Sequence, residues 1–281
     1  MLFTVFKKKG YDIVCLNKDI NKKWRLILAA VYLQFGLSHL ALGQVTKPHE
    51  ATALSTSSQS INWHKLHLKR AHFAFELGGF FSFQGADQDI CIQGLAGDQY
   101  TVTDNQSSNG LVGVGYFLKG LEKPRYTIDY GLEAFFGRGT VYGTIIQEHV
   151  FTNLAYSYNI DNFPLYAAVK GLFKTKKDRY GVILNAGIGP NFMKVYTPQE
   201  SSLGSDTIPD YAFLGKTNTV FTAMAGLGFR INQVFGPAPL ECGYRFFYLG
   251  QGQFKPRTNQ LLNSLKTGQS YAHAVMCGIL I

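Results

Sequence analysis

The chain has 281 residues, enough for one large β domain or two ordinary ones. Aromatic residues and glycine are abundant, with 22 Phe, 16 Tyr and 30 Gly, and only 16% of residues are charged, a composition that suits short strands better than helices. Residues 1–43 carry seven Lys or Arg and two acidic residues, a net +5 of the chain's +9, so the remaining +4 gives no indication of a nucleic-acid partner.

The N-terminal region contains a basic segment followed by an apolar run. Lys22, Lys23 and Arg25 precede LILAAVYLQFGLSHLALG, Leu26–Gly43, which ends in small residues. This pattern predicts a leader over residues 1–43 with a secretory signal peptide cut before Gln44. The alternative is a retained membrane helix, which the polar residues inside the run disfavour. Residues 44–70 are rich in Ser and Thr and then basic, and they predict a linker.

Eight later segments alternate apolar with polar or small residues. A period of two predicts β-strands, because successive side chains of a strand point to opposite faces. Within the fourth segment the apolar set moves from even to odd numbers, which we interpret as one strand with a bulge. The predicted strands are residues 73–83, 110–118, 126–136, 154–173, 180–189, 221–231, 239–250 and 271–281.

The connections between these strands alternate between long and short. The long ones are residues 85–109, a second segment that ends near Asn153, and residues 193–218 and 251–269. All four therefore fall at one end of an up-and-down sheet. An even strand count, short turns at one end and long loops at the other predict an eight-stranded antiparallel transmembrane β-barrel over residues 71–281. Strand lengths of about 9–13 residues fit a tilted crossing of a bilayer.

Four segments carry a resemblance to a known family. The chain resembles the small outer-membrane β-barrel proteins of the opacity and OmpA-like type from about Ala71 to Ile281. This resemblance implies a cell outer-membrane location, contact with membrane lipid and lipopolysaccharide, and insertion by the outer-membrane assembly machinery. Such barrels usually end on an aromatic residue, whereas this chain ends on Ile281. The segments are VKGLF at Val169–Phe173, LNAGIGPNF at Leu184–Phe192, FTAMAGLGFRI at Phe221–Ile231 and LECGYRFFYLG at Leu240–Gly250.

Seven charged residues fall on the predicted inward faces. An eight-stranded barrel is just wide enough for side chains to fill it, and a buried charge requires a partner. We therefore expect an internal salt-bridge network rather than a catalytic or conducting site. Arg245 lies too far along its own strand from Glu241 for a direct bond, so its partner is expected on another strand. The seven are Glu76, Asp129, Glu133, Lys170, Arg230, Glu241 and Arg245.

The remaining motifs favour structural roles. Cys242 and Cys277 lie on the apolar faces of expected neighbouring strands, and we interpret them as two small hydrophobic residues rather than a disulfide. For Glu148 and His149 the sequence pattern indicates no third residue that would complete a base or metal site. The sequence contains no metal-spaced cluster and no cofactor motif.

These observations favour a non-enzymatic outer-membrane protein with four surface loops. Function on such a scaffold lies in the loops, which are expected to bind a host, matrix or neighbouring molecule in an adhesin- or opacity-like role. The alternatives are a barrel enzyme that acts on lipid or peptide at the loop end, a secreted lipocalin-like barrel with an apolar cavity, and a pore.

Overall fold

The computed structural model describes residues 71–175, 179–205, 207–236 and 238–281. The predicted signal peptide and linker lie outside these residues. Within them, no helix has the length and apolar character that crossing a membrane requires. Strands and their connections make up the described part of the chain.

Thirteen strands occur in the described residues. They are β1 Ala71–Phe83, β2 Gln88–Ile90, β3 Asp98–Asp104, β4 Gln106–Glu122, β5 Tyr126–Gln147, β6 Phe151–Lys174, β7 Tyr180–Val195, β8 Gln199–Ser202, β9 Phe213–Leu214, β10 Lys216–Phe235, β11 Ala238–Gly250, β12 Lys255–Pro256 and β13 Ser270–Leu280.

Eight of these strands form a closed ring. Each of β1, β4, β5, β6, β7, β10, β11 and β13 pairs antiparallel with the next, and β13 pairs back with β1. The first strand is fastened to the chain end by Phe73 N to Ile281 O, 2.8 Å, and Ile281 N to Phe73 O, 2.9 Å. The predicted eight-stranded antiparallel up-and-down barrel is therefore confirmed.

The two ends of the ring differ in their connections. The strand ends that flank the short sequence gaps between β4 and β5, β6 and β7, and β10 and β11 share one end of the ring with the start of β1 and the end of β13. We call this the inner end. The opposite, outer end carries the connections 84–105, 148–150, 196–215 and 251–269. Strand lengths differ between neighbours, and β5 and β6 extend furthest toward the outer end.

Side chains alternate between the two faces of the wall as a strand requires. On β11, Tyr244 points outward and is 45% exposed, whereas its neighbour Arg245 points inward and is 5% exposed. The outward positions of the wall carry large apolar residues such as Leu77 and Val275, each 67% exposed. The ring thus has an apolar outside and a charged inside over its inner half.

The strand β6 corrects one expectation drawn from the sequence. It is a single strand, as expected, but its pairing with β5 and β7 runs without a register shift from Leu154 to Phe173. No bulge is present there. Even-numbered side chains point inward throughout: Tyr156 and Tyr158 into an apolar interior, Lys170 into a charged one. The apolar set changes face because the surroundings change along the strand.

The predicted second long loop is likewise a continuation of two strands. β5 runs on to Gln147 and β6 begins at Phe151, so residues 148–150 form a tight turn. Glu148 and His149 both have left-handed backbone conformations, with φ of 53° and 58°. The sequence of this hairpin lacks the apolar alternation of the ring strands because its outward face meets water beyond the apolar zone.

A folded cap closes the outer end, and we call it the head. The outer halves of β5 and β6 form the centre of a five-stranded antiparallel sheet, in the order β2, β3, β5, β6, β8. Its buried face includes Tyr100, Ile145 and Leu154, which are at most 2% exposed. The connection 251–269 packs onto this face, with the ring of Phe254 4.9 Å from that of Tyr158.

Cys242 and Cys277 form a disulfide, which corrects the interpretation of these residues as two separate small hydrophobic residues. They are directly paired on the adjacent strands β11 and β13, with Cα atoms 4.1 Å apart. Both point outward, next to Leu77 and Phe229 in the wall. The alternation of a strand gives the face of each cysteine, whereas a disulfide also requires the two residues to share one rung of the ladder.

We expect this disulfide to stabilise the barrel. It closes a segment with a sequence separation of 35, for which chain entropy predicts about 3–4 kcal/mol. The protein is denatured with or without reductant and then treated with maleimide–polyethylene glycol, which counts free thiols. The number of modified thiols that reductant adds should be larger by two in the wild-type protein than in the double variant Cys242→Ala/Cys277→Ala. Equal modification of the wild-type protein in both conditions would show that the bond is absent.

Candidate functional site

The interior of the ring contains two clusters of charged side chains. In the cluster nearer the inner end, Glu241 accepts hydrogen bonds from Lys170 Nζ, at 2.8 Å, and from Arg230 Nε, at 2.7 Å. The Lys170 ammonium also lies 4.3 Å from the centre of the Phe117 ring and is completely buried. One carboxylate on β11 therefore holds cations from β6 and β10.

The second cluster is centred on Arg245. Its Nη2 donates to Glu76 Oε1 at 2.6 Å and lies 3.4 Å from Glu133 Oε1. The guanidinium stacks over the Phe135 ring at 5.2 Å. Glu76 and Glu133 come from β1 and β5, so this single arginine joins three strands across the interior.

The structure thus brings six of the seven predicted residues into these two clusters. The seventh, Asp129, makes no close pair with Lys or Arg among the described residues, and its Oδ2 lies 3.8 Å from His72 Nε2. Sequence reasoning missed His72, which lies on the inward face of β1 one rung from the chain end. It also missed Asn185, whose amide lies 3.2 Å from Arg245 Nη2. The alternation placed both residues inward, but neither carries a fixed charge that demands a partner.

An aromatic layer separates the charged clusters from the head. The rings of Phe135, Tyr166 and Phe247 lie 5.3–6.1 Å from one another and are at most 3% exposed. Gly113 makes room for them, since a Cβ there would lie 2.5 Å from the Phe135 ring. Buried side chains therefore fill the interior from the charged clusters up to the head.

Aromatic residues border the apolar outside of the ring at both ends, and we call the zone between these borders the apolar band. A wall that presents apolar residues outward between two aromatic girdles is built to meet lipid, and closure leaves no unpaired strand edge in that medium. The inner girdle includes Phe73, Tyr116, Tyr130, Phe173, Tyr180 and Phe229; the outer one includes Phe81, Phe136, Phe163, Phe192, Phe221 and Tyr271.

The chain folds as an eight-stranded antiparallel β-barrel with an apolar outside, the architecture of a transmembrane barrel. A soluble lipocalin-like barrel would require the aromatic face of β11 to point inward and its charges outward, the reverse of what Tyr244 and Arg245 do. In outer-membrane barrels the short turns face the periplasm and the long loops face outward, and this rule gives the expected sides of the inner end and the head.

Comparisons with known proteins found similarities at low sequence identity. No family model and no curated protein matches the chain. Among solved structures, the Neisserial surface protein A is similar, with 10% identity and a TM-score of 0.37 over 74% of this chain and 96% of that one. OprG from Pseudomonas aeruginosa has 13% identity and a TM-score of 0.40 over 75% and 97%. The outer membrane protease OmpT from Escherichia coli has 9% identity and a TM-score of 0.40 over 75% and 96%.

The outer tip of the head exposes several large apolar side chains. Val150 and Phe151, at the β5–β6 turn, are 61% and 58% exposed, and Leu203 and Ile208 on the connection 196–215 are 56% and 80% exposed. Hydrogen bonds tie the two segments together, from Leu203 N to Asn153 O at 2.8 Å and from Gln147 to Asp210 at 2.8 Å. We call these four exposed residues the tip patch.

Acidic residues lie beneath the tip patch. Glu200 Oε2 accepts a hydrogen bond from Tyr211 N at 2.7 Å, and Asp98 Oδ1 accepts one from Glu148 N at 3.0 Å. Burial raises the pKa of both carboxyls above their ordinary values, in spite of these hydrogen bonds. His149 Nδ1 lies 3.8 Å from Asp89 Oδ1, so the fold does bring a histidine and an acid together at the outer end.

The first prediction concerns Arg245. Replacement by Ala leaves Glu76 and Glu133 buried without their cation, and we expect a loss of roughly 3–5 kcal/mol in the free energy of unfolding. Tyr244→Leu is the matched control on the adjacent outward position. It removes one hydrogen bond, between the Tyr244 hydroxyl and His273 Nδ1, and is expected to cost about 1 kcal/mol. Urea unfolding from lipid vesicles measures both. A silent Arg245→Ala variant beside a collapsed Tyr244→Leu variant would contradict the assignment of inside and outside.

The second prediction concerns pH. A carboxyl with a raised folded-state pKa binds more protons in the folded than in the unfolded state, so its contribution to stability falls as pH rises through the folded pKa. Glu200 should therefore make the tip more resistant to protease at pH 5 than at pH 8. The variant Glu200→Gln keeps an acceptor for Tyr211 N and should reduce this difference. Protease resistance that increases with pH, or a pH difference that Glu200→Gln leaves unchanged, would contradict this role of Glu200.

Proposed function

We propose that this protein is a non-catalytic surface protein of the outer membrane, whose four outer connections bind a host, matrix or neighbouring macromolecule in an adhesin- or opacity-like role. The observation that supports this most directly is the tip patch. Four large apolar side chains, each more than half exposed, stand on a head whose interior is packed. Exposed apolar clusters of this kind mark protein interaction sites.

The height of the head supports a role in contact. Ten residues of β6 separate Phe151 at the tip from Asp161 near the outer aromatic girdle. At about 3.3 Å per residue these residues span roughly 33 Å along the strand. The tip patch therefore stands well beyond the apolar band, where a large partner reaches it without entering the lipid layer.

The filled interior argues against the pore alternative. Lys170 in the charged cluster and Tyr166 and Phe247 in the aromatic layer are at most 2% exposed, so two successive layers fill the lumen. A channel would need a continuous opening through these layers. The interior network is then a stabilising element, because its charges pair with one another rather than with a permeating solute.

One observation favours the enzyme alternative. His149 Nδ1 lies 3.8 Å from Asp89 Oδ1 at the outer end, on a turn where Glu148 and His149 both have left-handed backbone conformations. A His–carboxylate pair is one component of a general-base system. No group of three His, Cys, Asp or Glu in the described part of the chain is arranged to hold a metal ion.

The third prediction separates binding from catalysis. Cells that display the wild-type protein should adhere to surfaces coated with fibronectin, laminin or collagen more than cells with the variant Val150→Ser/Phe151→Ser, by several-fold on at least one coating. The double variant Leu95→Ser/Leu262→Ser is the matched control, because it removes two exposed apolar residues elsewhere on the head.

Two results would count against the proposal. Equal adhesion by all three proteins on every coating would show that the tip patch is not the binding site. Hydrolysis of casein or of phospholipid vesicles by the purified wild-type protein, lost in His149→Ala, would replace the binding function by the enzyme alternative.

A further inference from the structure

A groove runs along the outside of the barrel between β1, β4 and β5. It has a volume of about 460 Å³ and is lined by apolar side chains that include Leu77, Val112, Val114, Phe136 and Phe163. Phe136 and Phe163 form its edge toward β6, with ring centres 4.7 Å apart. The groove lies within the apolar band, the part of the wall that is built to meet lipid acyl chains.

The outer end of this groove is open. Gly79 and Gly110 are paired on β1 and β4, one position beyond Leu77 and Val112 on the outward face. A Cβ at either glycine would meet nothing within 4 Å. The groove is therefore closed by side chains along its length but not at the end that faces the head.

A row of charged residues stands beside that open end. Arg138, Asp161 and Lys194 occupy paired outward positions on β5, β6 and β7. Each follows an aromatic residue two positions nearer the inner end: Phe136, Phe163 and Phe192. Two residues of strand span about 6.6 Å, so the charges lie immediately beyond the outer aromatic girdle, at the depth of lipid headgroups.

The row has an excess of positive charge. Asp161 accepts hydrogen bonds from Arg138 Nε at 2.6 Å, from Arg138 Nη2 at 2.9 Å and from the Tyr196 hydroxyl at 2.8 Å. Lys194 Nζ lies over the Tyr196 ring, 4.6 Å from its centre, and forms no salt bridge among the described residues. One carboxylate thus fixes the direction of Arg138 while two cations face the headgroup layer. The Arg138 side chain is half exposed.

We propose that the groove and this row together bind a phosphorylated glycolipid of the outer leaflet, with an acyl chain in the groove and a phosphate on Arg138 and Lys194. Arginine and lysine are the residues that recognise phosphate, and arginine held by a carboxylate loses little entropy on binding. The apolar groove directly below supplies the second half of an amphipathic ligand. Neither feature alone specifies a lipid, whereas their junction at the headgroup level does.

Native mass spectrometry of the barrel in detergent tests this proposal. The probes are diphosphorylated lipid A and the same lipid with both phosphates removed. We expect the diphosphorylated form to bind one molecule per barrel and the dephosphorylated form to bind at least tenfold more weakly, the loss that charged hydrogen bonds of about 1.5–3 kcal/mol predict.

Three variants locate the site. Lys194→Gln alone, which leaves the Arg138–Asp161 pair intact, and Arg138→Gln/Lys194→Gln should weaken binding of the diphosphorylated form in that order. Gly110→Phe closes the open end of the groove without changing any charge, and it should weaken both forms. Arg179→Gln is the matched control, because Arg179 also stands over a tyrosine ring, 5.9 Å from the centre of Tyr180, but at the inner end. It should bind as the wild type does.

The same measurements can overturn the proposal. Equal binding of both lipid forms to the wild-type protein would show that the phosphate is not recognised. A loss of binding in Arg179→Gln equal to that in the outer-end variants would show that the site is not at the outer end. A barrel dimer that Gly110→Phe abolishes would make the groove an interface between two copies of the chain. The heat-dependent shift in gel mobility of a folded barrel excludes misfolding for each variant.

Discussion

The absence of water around the apolar band is the constraint on which this structure depends. Every backbone N–H and C=O group at that depth needs a partner within the protein, and a sheet meets this need only by closing on itself. Pairing of β1 with β13 completes the ring, and the hydrogen bonds between Phe73 and Ile281 carry it to the last residue. Closure in turn encloses a narrow interior, and the charges placed there must satisfy one another.

The interior clusters follow from that enclosure. Glu241 binds two cations and Arg245 faces two carboxylates, so each cluster is centred on one β11 residue. β11 lies beside the closing strand β13. The clusters therefore join strands that are far apart in sequence, such as β1, β5 and β11, and connect opposite sides of the ring through its middle. Their contribution to stability is expected to be large when one member is removed, because the others remain buried.

Sequence alternation was sufficient for the ring but not for the head. The period of two identified all eight ring strands, because the apolar outside and polar inside hold for as long as lipid surrounds the wall. Beyond the outer girdle both environments reverse, so Tyr156 and Tyr158 point inward on the same face as Lys170. A sequence pattern records only the change of phase. Without the position of the lipid boundary, the change resembles a bulge, and the hairpin from Gly137 to Asn153 resembles a loop.

The disulfide between Cys242 and Cys277 has a consequence for the order of biogenesis. Both sulfurs lie on the outward face of the wall, among apolar residues of the face that is built to meet lipid. Enzymes that oxidise thiols act in water and have no access to that depth. We therefore expect the bond to form while β11 and β13 are still in an aqueous compartment, before insertion. The two strands would then enter the membrane as a covalently aligned pair, with the register fixed by Cys242 opposite Cys277.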